Sequence, residues 1–364
     1  MRTSYFKILA IFCLYSGCSE SSDLIEGIDF PESENIEGEK VLIDELSWQV
    51  EVAGDYIFCE QESSKTELYN VYQAGDLSFV GTVGNRGQGP DEFIGAQYSG
   101  QYFYDSLGNT NIWVNDAPKF RISALNLNSS LKTNKTIVSN RLRHHPKYNF
   151  QNALFVLGES DLAGFQPGFI EGTNLKPLNF LTNGVLSSVG SYPRVKNSND
   201  IPGANSLFKN LDYVHLGMKP DQEKFAVALS HYDRVDIYNR DGSLVKSIGH
   251  SENYRQYEAH EIFSETKGLV GIKNYYMTVR TTDKYIYAVS HGRDRKADVE
   301  GITYSSEIRV FAWDGSIIRV LKCPNDLISL AIDEKRGFLY GHDMSIEGMV
   351  RFDITELIES YEKP

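Results

Sequence analysis

Cysteine is scarce in this chain of 364 residues: Cys13, Cys18, Cys59 and Cys323 are all there is. No C-x-x-C and no H-x-x-x-H spacing occurs, so a zinc site has no support and no metal is expected. Cationic charge is short as well, with 36 Lys and Arg against 49 Asp and Glu. A chain this acidic is repelled by a phosphate backbone, which removes nucleic acid from the partners. Long apolar runs are missing. The nearest, residues 8–14, falls far below the ~20 residues that a membrane-spanning helix needs. Extended helical periodicity after residue 40, a Gly-Lys-Ser/Thr phosphate loop, a Gly-x-Ser-x-Gly elbow and a conspicuous acid pair are all wanting too. Nothing calls for a cofactor.

What is present begins with an address. Arg2 and Lys7 precede the short apolar run, and the small residues Ser16 and Gly17 precede Cys18. A charged start, a brief apolar run and a small-residue cleavage site make a secretory signal. Ser16-Gly17-Cys18 resembles the lipobox of bacterial lipoproteins, which implies that Cys18 is lipidated and becomes residue one. The acidic residues that follow, Glu20 and Asp23, resemble surface-export signals of some Gram-negative lipoproteins. The expected organisation is a signal peptide over 1–17, a lipidated Cys and flexible tether over 18–39, and a folded body over 40–364. The tether reading rests on the Ser, Glu and Asp content of 19–39. The expected location is the outer membrane, on its periplasmic or cell-surface side, with a monomeric body that meets the membrane through lipid alone.

The body repeats one pattern. Short apolar and aromatic runs such as "YIFCEQ", "TNIWVND", "FAVALS" and "YIYAVS" are bounded by turn residues, and 22 Tyr and 19 Phe suit half-buried strands. "VDIYNRDGSLVKSIG" (235–249) and "IRVFAWDGSIIRVLK" (308–322) both read strand, Asp-Gly turn, strand. Looser copies turn at Gly75-Asp76, Asn128-Ser129 and Asn183-Gly184, so the turns fall at 75, 128, 183, 241 and 314, spaced by 53, 55, 58 and 73. That period, at four strands per unit, predicts an all-β, six-bladed β-propeller of four-stranded antiparallel blades. The last unit has three strands, and "EKVLIDEL" (39–46) is the candidate fourth, closing the ring from the other terminus. Two stacked β-sandwiches are the alternative. Cys59 and Cys323 fall in blades that are not neighbours.

One stretch stands apart. "GNRGQGPDEF" (84–93) holds three glycines and a proline between the first and second blades, where glycine lets a crossover bend and Pro90 fixes a dihedral. This stretch, with the repeated hairpins behind a lipoprotein signal, resembles the TolB-like six-bladed β-propeller lipoproteins of Gram-negative bacteria. Their motif Gly-x-x-Gly-x-Gly-Pro-x-Glu-Phe is matched by Gly84, Gly87, Gly89, Pro90, Glu92 and Phe93; Asp91 stands where many relatives have Gly. The resemblance implies fold and location, and carries over no catalytic residue.

Chemistry is sparse. The first three crossovers (84–92, 139–147 and 190–203) carry Arg86, Arg141, Arg143, Lys147, Arg194 and Lys196 against Asp91, Glu92 and Asp200. In a chain that reaches −15 once Arg2 and Lys7 leave with the signal, this reverses the local sign and fits a small molecule, anions included, a glycan, or an envelope protein. The candidate ligand-binding residues are Arg86, Gln88, Arg141, Arg143, Arg194 and His215, the last expected to face the channel with Tyr213. The competing reading is that the arginines tie neighbouring blades. The polar insertion "SHGRDRKADVEGITYSS" (290–306) is a candidate flap. A propeller hydrolase or lyase acting at the channel mouth is the alternative function.

Overall fold

The computed structural model describes residues 26–358, apart from 43–46, 48, 62–63, 147–149, 151–152, 167–175, 194, 202–204, 209–210, 251–256, 266, 295–304, 347 and 357. Cys18 and the expected signal segment lie outside the described residues, as do Lys147, Arg194 and most of the candidate flap.

Six antiparallel sheets follow one another along the chain. Blade 1 is Val50–Ala53, Tyr56–Glu60, Glu67–Gln73 and Phe79–Arg86; blade 2 is Ala96–Tyr104, Thr110–Asp116, Arg121–Asn126 and Val138–Arg143. Blade 3 is Leu154–Val156, Leu162–Gly164, Leu178–Thr182 and Val185–Val189; blade 4 is Val214–Met218, Lys224–Leu229, Val235–Asn239 and Leu244–His250. Blade 5 is Lys273–Thr281, Tyr285–Asp294, Ser306–Ala312 and Ile317–Cys323. Blade 6 has Leu327–Asp333, Phe338–Asp343 and Gly348–Asp353, and takes its fourth strand from Glu39–Val41, with Val41 opposite Met349 and Glu39 opposite Arg351. The first strand of each blade is innermost.

Strands normally alternate one buried and one open face. Here Thr110–Asp116 and Arg121–Asn126 are buried along their whole length, because a neighbouring blade covers each face. The apolar core is accordingly split into layers, one at each blade interface. Phe58, Leu68 and Val71 of blade 1 meet Ile112 and Leu125 of blade 2, and Ile57 and Cys59 meet Tyr340 and Met349 of blade 6. Cys59 and Cys323 are buried thiols in blades 1 and 5, which do not adjoin.

The repeated Asp-Gly hairpins differ in detail from two-residue turns. Gly242 (φ 85°) and Gly315 (φ 87°) are left-handed while the aspartates before them are not, and a bulge follows in the ladder. The aspartate instead accepts the amide of the residue two positions on: Ser243 from Asp241 and Ser316 from Asp314, both 2.8 Å, and Ser78 from Asp76, 2.9 Å. The expected turn at Asn128-Ser129 is a short helix, Leu127–Thr133, capped by Asn126.

The tether reading needs correction from residue 26 onward. Glu26–Ile28 adds a parallel strand to the outer edge of blade 4, Glu34–Asn35 does the same for blade 5, and Glu39–Val41 completes blade 6. Between the first two, Phe30 sits over the Arg309 guanidinium at 4.3 Å and edge-on to Phe311. The segment is a strap across three outer edges. Its polar composition is compatible with this because the pairing is made by backbone groups, and Glu34 and Glu39 also pair with Arg319 and Arg351.

The Gly-rich crossover is a knot at the junction of blades 1 and 2. The Glu92 carboxylate folds back to accept the Gly89 amide at 2.7 Å. Lys119 donates to the carbonyls of Gly87, Gly89 and Glu92 at 2.7–3.1 Å, and Arg121 donates to those of Pro90 (2.6 Å) and Glu92. A Cβ on Gly87 would come within 2.2 Å of Glu92 Oε2, at a φ of 152°. Gly87→Ala is therefore expected to cost about 1–3 kcal/mol, read as a lower urea midpoint at unchanged slope.

Candidate functional site

The inner strands enclose a channel with a volume of about 1530 Å³. Each contributes side chains by its place in the ring: Glu51 from blade 1, Tyr98 and Tyr102 from blade 2, Phe155 from blade 3, Tyr213 and His215 from blade 4, Arg280 from blade 5 and Ser329 from blade 6.

In its wall Arg280 forks onto Glu51, with Nε 3.1 Å from Oε2 and the second nitrogen on Oε1. Its remaining terminal nitrogen donates to Thr278 Oγ1 at 3.1 Å and the Val279 carbonyl at 2.9 Å. Burial pushes the Glu51 carboxyl up from its usual range, and the Arg280 charge and hydrogen bonds pull the other way. His215 lies on the inner strand of blade 4, with its ring 5.4 Å from that of Tyr213. Burial first, then the positive charge of Arg280, push the imidazole down to about 3. It is neutral at physiological pH.

Toward the turn-bearing mouth, Tyr102 and Tyr104 stand perpendicular with centroids 5.9 Å apart, 44% and 56% exposed. Asp333, Lys335 and Arg336 at the end of blade 6 reach Asp55 of blade 1, or each other, at 2.5–3.0 Å and lock that side of the ring. Ser99 of blade 2 and Ser329 of blade 6 belong to the wall, but their hydroxyl oxygens are turned into the protein, where they make no hydrogen bond among the described residues.

The crossover residues lie elsewhere and are engaged. Arg86 donates to the carbonyls of Gln61 (2.8 Å) and Glu67 (3.2 Å) and is 3.9 Å from Glu60, all within blade 1. Arg141 pairs with Asp91 at 2.8 Å. Arg143 and Gln88 are exposed, on the outer strand of blade 2 and the crossover tip. None of these four lines the channel, and Arg194 is outside the described residues. Of the sequence candidates that are described, His215 alone lies in the channel wall. The Glu51–Arg280 pair was not anticipated, because its partners are 229 residues apart and no local pattern joins them. Tyr98, Tyr102 and Tyr104 had a readable signal: they share one parity on an inner strand.

A family model described as TolB-like 6-blade propeller-like matches residues 30–335. Among solved structures, a member of the DUF4221 family from Bacteroides vulgatus aligns at a TM-score of 0.56 and 12% identity, over 88% of this chain and 96% of its own. A putative exported protein from Bacteroides fragilis aligns at 0.46 and 10%, over 90% and 92%. A streptogramin B lyase aligns at 0.44 and 9%, over 88% and 97%. At these identities the likeness concerns the fold alone. No curated protein matches in sequence.

Proposed function

Because the chain belongs to the TolB-like six-bladed propeller family, a name that specifies an architecture, we propose its function from the channel: it is an envelope-anchored binding protein that takes a small molecule between its inner strands. The observation that carries this reading is the 1530 Å³ cavity lined by tyrosines and a few convergent polar groups. Sites of ~300–1,000 Å³ already hold drug-sized ligands, and such a lining is their usual make-up. The crossover arginines support it by being spent on carbonyls and on Asp91. A base with a pKa near 3 accepts protons poorly at neutral pH, so His215 favours binding over hydrolase or lyase chemistry.

The test is a thermal-shift screen against small-molecule libraries, since a ligand that binds only the folded state raises the melting temperature. Compounds that stabilise the wild type should fail to stabilise Val52→Trp, which places an indole on the channel wall. They should still stabilise Arg141→Gln/Arg143→Gln. The reverse pattern would return the site to the crossover loops.

The anchor rests on Arg2, Lys7, the apolar run and Ser16-Gly17-Cys18. Cys18→Ser should move the protein from the membrane fraction to the soluble one and abolish incorporation of labelled fatty acid. Unchanged labelling would refute lipidation at this residue.

A further inference from the structure

Resting on Cys18 as the lipidated residue, we infer that the propeller lies with its hairpin face against a bilayer, its apolar turn tips set among zwitterionic headgroups. In each blade the turns after the first and third strands fall on one face of the ring, and the crossovers fall on the other. The strap decides which face is nearer the anchor. Glu26–Ile28 runs parallel to Leu244–His250, the strand that leaves the turn at 240–243, with Glu26 opposite Ile248. The chain therefore enters the strap from the hairpin side. Ile248 is four residues up from Leu244, which puts Glu26 about 13 Å above that rim. Eight Cα steps separate Glu26 from Cys18, a reach of at most ~29 Å at full extension. A lipid at Cys18 thus holds the rim of blade 4 close to the membrane, whereas presenting the crossover face would require the chain to double back.

Side-chain exposure follows the same division. Among the described residues the five most exposed large apolar side chains are Leu107, Val185, Phe79, Tyr104 and Leu244, from 85% down to 46%, and all five stand at hairpin ends of blades 1 to 4. The crossover face shows Ile94, Met344 and Leu207, at 36–40%. Apolar residues exposed singly are ordinary, but their gathering at one face marks an interaction surface. Tyrosine suits the headgroup layer, where one end of the ring is apolar and the other wet. Three tips follow an aspartate by two or three residues: Asp76 before Phe79, Asp105 before Leu107 and Asp241 before Leu244. A tip entering the acyl boundary carries its carboxylate to the level of a headgroup ammonium. Lys219, Arg240, Lys335 and Arg336 are taken up by Asp221, Glu223 and Asp55, while Lys132 and Lys135 are exposed and can meet phosphates. Carboxylates outnumber cations across these turns, which selects a zwitterionic surface over an anionic one. Docked so, the channel keeps its crossover end, where Gln97 and Asp326 belong to the wall, as the entrance for a ligand.

The experiment uses the full-length lipidated protein in vesicles of phosphatidylcholine and phosphatidylethanolamine, with an environment-sensitive dye on one introduced cysteine at a time. Cys59 and Cys323 are buried and stay unlabelled. Dye at Leu107→Cys, Val185→Cys or Leu244→Cys should be quenched at least about twofold by spin-labelled lipid, since apolar groups at an interface settle ~5–10 Å into the headgroup–acyl boundary. Dye at Ile94→Cys or Leu207→Cys should not. Adding Leu107→Asp/Leu244→Asp should cut the quenching of a dye on Val185→Cys, and vesicles rich in phosphatidylglycerol should do the same. Quenching at the crossover positions, or at neither face, would overturn the docking while the anchor stands. Stronger quenching on the anionic lipid would overturn the zwitterionic match. Protein that takes up no labelled fatty acid and stays free of the vesicles would refute the anchor, a separate result, and the docking with it.

Discussion

Arg121→Met should lower the stability of this propeller by about 3–5 kcal/mol, the largest loss expected from any single change at a blade junction. The Arg121 side chain is 3% exposed and lies 3.2 Å from the fully buried Asp116. It donates to the carbonyls of Pro90 and Glu92 and lies over the Phe93 ring at 5.2 Å. Asp116 in turn accepts the amides of Ile94 and Gly95 at 3.2–3.4 Å. Methionine fills the same volume and keeps the contact with Phe93, but leaves a carboxylate buried without its countercharge and two carbonyls short of a donor. Removing one partner of a buried pair costs far more than the pair itself contributes, which is why the effect is large. Arg121→Lys should recover little, since a single ammonium cannot reach Asp116 and both carbonyls in the geometry of a planar fork. Urea titration with fluorescence measures it. A loss below about 1 kcal/mol would mean that Lys119 alone holds the crossover.

The second large effect is with acid. His291 is buried, its Nε2 2.8 Å from Ser306 Oγ and 3.7 Å from Asp326, and burial together with Arg293 holds its pKa down at about 3. His215 is held to about 3 as well. In the unfolded chain both titrate near 6.5. The folded state therefore binds fewer protons between those values. The stability the two histidines confer is fully present above pH 6.5 and drains away as pH falls toward 3, by up to about 5 kcal/mol each at 1.36 kcal/mol per unit. Glu51 runs the other way, because a carboxyl with a raised pKa favours the folded state as pH drops. The comparison of variants isolates the histidines: His291→Gln/His215→Gln should flatten the loss of unfolding free energy between pH 6.5 and 4. An equal slope in wild type and double variant would show that other groups set the acid limit.

Much of the architecture was readable because it is written in local grammar. An aspartate that caps its own turn, as Asp76, Asp241 and Asp314 do, marks three of the hairpins, and the spacing between those and the looser turns gives the blade period. The closing strand at Glu39–Val41 was readable for a related reason: a three-stranded last blade leaves an open edge that something must cover. The tether and the site were not. A strap that pairs through backbone amides can carry almost any side chains, so a run of Ser, Glu and Asp says little about whether it is loose. In the crossovers, a charge count includes Asp91 but cannot say that Arg141 pairs with it, and it leaves out the backbone carbonyls that engage Arg86. The channel pair depends on blades 1 and 5, two places apart in the ring, turning their inner strands to one channel, a relation that exists only once the ring is closed.

The strap has a consequence in time. Residues 26–41 complete edges at 248–250, 321–322 and 349–351, so the first described segment to leave the ribosome pairs with the last segments made. At ~5–20 residues per second it waits many seconds for its partners, and such long-range pairing slows folding. Blades 4 to 6 remain with bare edges until it docks. A chain that completes its ring only when its two ends meet stays open for as long as it is being made.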